Sequence, residues 1–337
     1  MIGIVAIGRN EGERLRQCLQ AARETAPGVP VVYVDSGSTD RSLDIANEFG
    51  ALVYLLDPAL PFTAARARNE GIRSLLQQLP RTKYVQFIDG DCALQPDWIE
   101  TAARFLDERA SVAAVCGRRR ERFPDASIYN LLVDMEWNTP VGVVKSCGGD
   151  VMMRCSAFQQ VGGYNDDIIA GEEPELCVRL RAAGFEIHRI DHEMTLHDAD
   201  MTCFRQWWKR NVRAGHAYAE GFDRHGAPPE RFRAKEVRSN WTWGLGIPLV
   251  TLVVTGLLVW RLPAWSWWPV VVAAALYALL GFRVYRHRRA RGDAPRAARL
   301  YALFTLLGKF AQMSGQWKYR RGKLSGRRSR IIEYKQA

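Results

Sequence analysis

The sequence holds seven cysteines but no CxxC pair and no spacing that would build a zinc site. An odd, scattered set suits a reducing compartment. Cys18 and Cys177, inside helical patterns, read as small buried hydrophobes. No GxGxxG follows the first apolar run and no GxxxxGKS/T occurs anywhere. Their absence argues against a dinucleotide-dependent dehydrogenase and a P-loop nucleotidase. The N-terminus shows no signal-peptide pattern, because the apolar run ending at Ile7 stops at Gly8-Arg9-Asn10-Glu11. A basic excess is missing from most of the chain as well. The net charge is +11, yet residues 283–337 alone carry 16 Lys and Arg against two acids. The preceding residues are therefore slightly acidic, and no nucleic-acid partner is expected, since that would call for a basic body.

What is present fits a folded protein with a membrane-facing end. Of 337 residues, 47% are hydrophobic and 25% charged, enough to bury a core and too apolar for a disordered chain. No charge lies between Arg238 and Arg261, or between Arg261 and Arg283. Each window can supply the ~20 apolar residues that cross a hydrocarbon layer as a helix. Six of the 11 tryptophans fall between 241 and 268, where an interfacial belt would place them. Arg231, Arg233, Lys235 and Arg238 precede the pair, Arg283, Arg286, Arg288, Arg289 and Arg291 follow it, and the turn holds only Arg261. The positive-inside rule then puts both flanks in the cytoplasm. The expectation is a multi-pass protein of the inner (cytoplasmic) membrane, with its catalytic domain and C-terminus in the cytoplasm.

A third apolar stretch, residues 300–317, is interrupted by Lys309 and is expected to be an amphipathic helix on the inner leaflet. Arg320, Arg321, Lys323, Arg327, Arg328 and Arg330 would then meet anionic membrane lipids. The domain plan is residues 1–222 as the catalytic domain, 223–240 as a basic linker, 241–282 as a transmembrane hairpin and 283–337 as a basic tail.

Residues 1–222 alternate β-rich runs (2–7, 31–34, 52–55, 84–88, 112–116) with helical patterns near 11–24, 41–49, 63–79 and 97–108. That is the signature of an α/β protein with a mostly parallel sheet between helices. Ligands bind such sheets at the carboxyl ends of strands. Those ends read Gly8-Arg9-Asn10-Glu11-Gly12, Asp35-Ser36-Gly37-Ser38-Thr39-Asp40 and Asp89-Gly90-Asp91. Taken singly, the first is a helix start capped by Asn10, the second an Asx turn and the third a common loop pair. Taken together they gather carboxylates that would repel one another without a cation, and Mg²⁺ or Mn²⁺ with oxygen ligands and a substrate phosphate fits that need.

This ordered set resembles the family-two inverting glycosyltransferases with the GT-A fold. Further matching segments are Ala67-Arg68-Asn69-Glu70-Gly71, Gly148-Gly149-Asp150 and Gly171-Glu172-Glu173-Pro174-Glu175. The resemblance implies a nucleotide-sugar donor and assigns roles by position. Ile7, Gly8, Arg9, Glu11 and Asp35 would enclose the nucleotide beside Arg68 and Asn69. Asp89 would face the ribose, and Asp91 would ligate the metal. Glu173 stands where the family places its general base, usually an aspartate one methylene shorter, and Glu172 and Asp150 compete for that role. First-turn acids favoured by the helix dipole are the plainer reading of the Glu pair. His197 is either a second metal ligand or a surface histidine. Arg210 and Arg213, in the stretch 205–213, would neutralise the leaving diphosphate, whereas Trp207 and Trp208 would lie on the bilayer.

The implied activity is metal-assisted transfer of a sugar to a hydroxyl at the inner leaflet, on a lipid or lipid-linked acceptor, with a soluble acceptor as runner-up. The alternatives are a catalytically silent nucleotide-binding membrane module and a sugar nucleotidyltransferase.

Overall fold

The computed structural model describes residues 1–326. They divide into two compact units, one of residues 1–126 and 133–200, the other of 127–132 and 201 onward.

The first unit is built on one nine-stranded sheet. Its strands are β1 (Ile2–Gly8), β2 (Val31–Asp35), β3 (Leu52–Leu55), β4 (Tyr84–Asp89), β5 (Cys92–Leu94), β6 (Val112–Glu121), β7 (Gly142–Val143), β8 (Val151–Arg154) and β9 (Glu186–His197). Their order is β3-β2-β1-β4-β8-β6-β9-β5, with β7 also paired to β9. β1, β2, β3 and β4 run parallel, β8 lies antiparallel between β4 and β6, and β6 and β9 are parallel again. β1 is apolar at nearly every position and buried on both faces, as helices covering both sides of a parallel sheet require. α1 (Glu13–Thr25), α2 (Ser42–Glu48), α3 (Ala64–Gln78), α4 (Trp98–Glu108) and α5 (Ile128–Trp137) come next along the chain. α6 (Cys155–Gln160) and α7 (Glu172–Ala182) complete the helices before β9. Close packing of α3 depends on Gly71, where a Cβ would collide with Val5 Cγ1 and sit 2.9 Å from Val34 Cγ2.

The expected strands and helices are all present, most extended or trimmed by a residue or two. β9 carries a strand expected over residues 186–190 on to His197, whereas β5, β7 and β8 were not expected; these three are two to four residues long, too short to show a period in sequence.

The second unit is helical. It contains α8 (Phe204–His225), α9 (Ala234–Trp241), a π-helical turn (Thr242–Gly246), α10 (Ile247–Arg261), α11 (Trp268–Ala290) and α12 (Pro295–Leu324). Two stretches among the described residues, Ala234–Arg261 and Pro263–Ala290, are long and apolar enough to cross a membrane, and within the apolar 18-residue window of each only 6% is buried inside the protein. Large apolar side chains such as Leu252, Val259 and Trp260 are instead exposed.

Three expectations change here. The boundary drawn at 222 falls inside α8, which packs along α12, and α9 occupies much of the expected linker. Trp207 does not lie on a surface: it is buried against Leu132 and Phe304, with ring centroids 4.9 Å apart for the second pair. α12 buries Phe304 and Ala311 of the expected apolar face together with the small residues Ala298, Ala302, Gly308 and Gly315, whereas Leu303 and Trp317 of that face are about half exposed. Glycines permit that contact. A Cβ on Gly215 would collide with the Gln312 carbonyl, and one on Gly315 with the Val212 carbonyl. Lys323, expected at lipid headgroups, forms an ion pair with Asp223. Arg327, Arg328 and Arg330 lie outside the described residues.

Candidate active site

The polar ends of β1 and β2 are laced together. Asn10 takes a left-handed conformation (φ 56°), its N–H donates to Ser38 Oγ at 2.9 Å and its Oδ1 accepts the Thr39 N–H at 2.7 Å. It therefore does not cap α1, whose N-cap is Gly12. The N–H groups of Glu11 and Gly12 both donate to Ser42 Oγ. Asp35 is buried, and its Oδ2 accepts the N–H groups of Gly37 and Ser38 at 2.9 and 2.8 Å while Tyr33 donates to Oδ1 at 3.2 Å. The Asx turn and a nucleotide-facing carboxylate are thus compatible, because the turn fixes where Asp35 sits. Ile7 and Gly8 end β1, and Gly90 donates its N–H to the Ile7 carbonyl at 2.8 Å. Arg9 lies 5.8 Å over the Phe62 ring.

The end of β4 carries the densest charge. Arg68, on α3 and 2% exposed, reaches Asp89 Oδ1 at 2.7 Å, Glu172 Oε1 at 2.9 Å and Glu173 Oε1 at 3.4 Å. Arg119, on β6, meets Asp89 Oδ2 and Asp150 Oδ2, each at 3.0 Å. Burial alone would raise Asp89, but the Arg68 and Arg119 guanidiniums hold it well below the usual carboxylate range. Asp150 is fully engaged: its Oδ1 accepts the Asp89 N–H at 3.0 Å and its Oδ2 accepts the Thr195 hydroxyl at 2.8 Å besides facing Arg119.

Glu173 differs from its neighbours. Its side chain is 16% exposed against 5% for Glu172. Burial and then the Glu172 carboxylate push it up to about 7, against the smaller opposing pull of Arg68. That places its proton affinity near neutral pH. Gly149 packs onto this group. A Cβ there would collide with Arg68 Nη2 and lie 3.0 Å from Glu173 Oε1 and 3.1 Å from Asp89 Oδ2. Gly149→Ala is therefore expected to lower turnover about a hundredfold through a small displacement of these side chains. Steady-state kinetics on a variant whose melting transition stays cooperative would check it, and unchanged kcat would show that the cluster tolerates the shift.

Sheet register builds the remaining site. Cys92 of β5 pairs with His197 of β9, and Glu121 of β6 pairs with His197 from the other side. Asp91, one residue before β5, is thereby brought to 3.3 Å from His197 Nε2 through its Oδ2. Glu121 Oε2 lies 3.8 Å from Nδ1, and the Trp137 ring stands edge-on to the imidazole at 4.6 Å. Burial and then the Arg119 charge lower the histidine pKa, favouring the neutral ring that can ligate a metal. Burial also raises the Cys92 thiol, which keeps it protonated and a poor ligand for a hard cation. One carboxylate oxygen and one neutral imidazole nitrogen, side by side and buried, suit Mn²⁺ or Mg²⁺. Asp89, Asp91, Glu121, Asp150, Glu172 and Glu173 also outnumber Arg68 and Arg119, leaving negative charge for a divalent ion to offset.

The structure thus brings together Arg68, Asp89, Asp150, Glu172 and Glu173, and sets Asp91 beside His197. Asn69 turns elsewhere: its amide donates to the Tyr164 carbonyl and to Asp166 and accepts the Tyr164 N–H, tying α3 to that loop. Arg210 and Arg213 lie on α8, in the second unit. Sequence reasoning missed Arg119, Glu121 and Thr195. The run Arg118-Arg119-Arg120 at the end of a strand was the available signal, since alternation sends Arg119 to the opposite face from its neighbours. Arg118 pairs with Asp134 and Arg120 with Glu193.

Residues 4–159 match the family described as Glycosyl transferase family 2, and residues 133–202 match the N-terminal domain of galactosyltransferase. A pre-mycofactocin glycosyltransferase of Mycobacterium tuberculosis is 26% identical over 238 residues, covering 66% of this chain and 48% of the relative. The chain spans about half the length of that relative. A glucosyl-dolichyl phosphate glucuronosyltransferase of Haloferax volcanii is 22% identical over 214 residues, 55% of this chain and 66% of the relative. Among solved structures, a mannosyltransferase from Pyrobaculum calidifontis in complex with GDP-Man and Mn²⁺ superposes with a TM-score of 0.56 at 16% identity, covering 96% of this chain and 86% of that one.

Proposed function

Because residues 4–159 are a glycosyltransferase family 2 domain of GT-A fold, we propose that this chain moves a sugar from a nucleoside-diphosphate sugar to an acceptor hydroxyl by one inverting displacement at the cytoplasmic face of a membrane. One observation carries the reading: Glu173, poised near neutrality, shares a guanidinium with the first carboxylate of Asp89-Gly90-Asp91.

Each residue has a task in that reaction. The loops after β1 and β2, with Asp35 at their centre, receive the nucleotide base. Arg68 and Arg119 hold Asp89 ionised and fixed in direction towards the ribose. Asp91 and His197 would hold a divalent ion, which would supply positive charge against that developing on a departing diphosphate. Glu173 takes the proton of the attacking hydroxyl. Glu172, bonded to Arg68, supplies the neighbouring charge that keeps Glu173 basic enough for this. Asp150 has both oxygens engaged, so it suits positioning Asp89 and Arg119 better than proton transfer. Arg210 and Arg213 are assigned to the leaving diphosphate on sequence order alone.

Two exposed apolar helices and the basic residues flanking them support a membrane anchor. The name of the Haloferax relative, which includes a dolichyl phosphate, supports a lipid-linked acceptor. The Pyrobaculum enzyme, captured with GDP-Man and Mn²⁺, supports the donor class and the cation.

The test is product analysis. The full chain, incubated with Mn²⁺, a panel of nucleotide sugars and a membrane lipid extract, should release nucleoside diphosphate and label a lipid. Pyrophosphate release, or binding without turnover across the panel, would overturn the proposal. Asp35→Ala should weaken nucleoside-diphosphate binding about tenfold in titration calorimetry, with a smaller change in kcat, since it removes a charged hydrogen-bond acceptor at the base. Unchanged affinity would take Asp35 out of the pocket.

A further inference from the structure

Lys309 interrupts the third apolar stretch, and burial explains why it stands out. Its ammonium is half-buried on α12, and the contact it makes is to a neutral group, Asn240 Oδ1, at 3.2 Å. No carboxylate among the described residues comes within ion-pair distance of it. Burial pulls its pKa below the ordinary lysine range, with Glu236 as a distant counterweight. A half-buried cation held by one amide oxygen is short of charge and of acceptors.

Asn240 makes the shortage sharper. It is fully buried, and while its Oδ1 serves Lys309, its Nδ2 has no hydrogen-bond partner. The buried amide therefore orients the ammonium without itself being open to a ligand. Gln316, two turns further along α12 on the same face, is also fully buried with neither amide atom partnered. α12 comes this close because Gly244, in the π-helical turn, has no side chain: a Cβ there would lie 2.6 Å from the Lys309 carbonyl.

The site's level in the sequence says what it would meet. Asn240 comes two residues after the charged segment Lys235-Glu236-Val237-Arg238 and directly before the apolar run that begins at Trp241. In a spanning helix that junction is the headgroup layer, where phosphates are the abundant anions. We propose that Lys309, held in place by Asn240, forms a binding site for the phosphate of a membrane lipid, with the half-buried ammonium donating to its oxygens. The shared chemistry fits the headgroup of an anionic phospholipid and the phosphate of a lipid-linked acceptor alike. The inference rests on the reading that the α9–α11 segment crosses a bilayer.

The test uses the full chain purified in a neutral detergent and titrated with phosphatidylglycerol, phosphatidylcholine, a polyprenyl phosphate or inorganic phosphate, with retained lipid read by native mass spectrometry. One phosphate-bearing anionic lipid should be held per chain, and Lys309→Met should weaken it about tenfold by removing a charge-assisted hydrogen bond. Lys309→Arg should restore it. Asn240→Asp supplies an internal counter-ion, so it should abolish retention without unfolding the chain in circular dichroism, which separates loss of the site from loss of the fold. Tighter retention of one lipid class assigns the source. Equal retention by wild type and Lys309→Met, no preference over phosphatidylcholine, or binding of inorganic phosphate alone would each overturn the lipid site. A chain that stays monodisperse without detergent would instead overturn the membrane reading.

Discussion

Asp91→Ala is expected to lower kcat/KM by about a thousandfold and to abolish the response to added Mn²⁺. Asp91 is buried and its Oδ2 lies 3.3 Å from His197 Nε2. Of the neighbouring carboxylates, Asp89 and Asp150 are held by Arg68 and Arg119, and Glu121 Oε2, 3.8 Å from the other ring nitrogen, accepts the Ala199 N–H at 3.0 Å. The loss of a group that offsets leaving-group charge is worth several kcal/mol, and each ~1.4 kcal/mol is tenfold in rate. His197→Ala should raise the Mn²⁺ concentration needed for half-maximal activity, with a smaller loss at saturation, because Asp91 would remain of the two proposed ligands. Mn²⁺ electron paramagnetic resonance gives a readout independent of turnover: free Mn²⁺ signal should be depleted by the wild type, less by His197→Ala and least by Asp91→Ala. An Asp91→Ala protein that still depletes the signal and still needs Mn²⁺ would place the ion elsewhere.

Which parts of this site could be read in sequence follows from how each residue reaches it. Asp35, Asp89 and Asp91 lie at the ends of β2 and β4, where a parallel sheet presents its loops on one side, so alternation of apolar runs and polar ends was enough to group them. His197 needed more. Its place beside Asp91 depends on the pairing of Cys92 with His197, and β5 is only three residues long, below what a hydrophobic period reveals. Arg119 was hidden for a related reason: the expected strand stops at residue 116, and only its continuation to Glu121 beside β9 carries Arg119 into the cleft. In the second unit the amphipathic reading of α12 favoured large side chains, whereas the contact with α8 is set by glycines that admit the partner backbone. Trp207 misled for the converse reason, since an aromatic residue beside a basic run looks interfacial until Leu132 and Phe304 are seen to cover it.

Glu173→Gln should leave nucleoside-diphosphate affinity within about twofold of the wild type and reduce kcat by roughly 10²–10⁴-fold, the range general-base removal spans. The amide keeps the shape of the carboxyl and its approach to Arg68 but cannot accept the acceptor's proton. The pH dependence gives the sharper check. Burial and Glu172 push Glu173 up to about 7, and the base works only when ionised. Wild-type kcat should therefore rise with pH through about 7 and fall away on the acid side. That limb should be missing from the residual activity of Glu173→Gln. Glu172→Gln acts in the opposite sense: with the adjacent negative charge removed, the Glu173 carboxylate becomes easier to ionise, and the acid limb should move to lower pH. The two variants together separate base from neighbour. If Glu172 were the base, Glu172→Gln would erase the limb rather than move it, and Glu173→Gln would keep one. Full activity in Glu173→Gln would remove it from proton transfer and leave the shared guanidinium of Arg68 as a structural clamp.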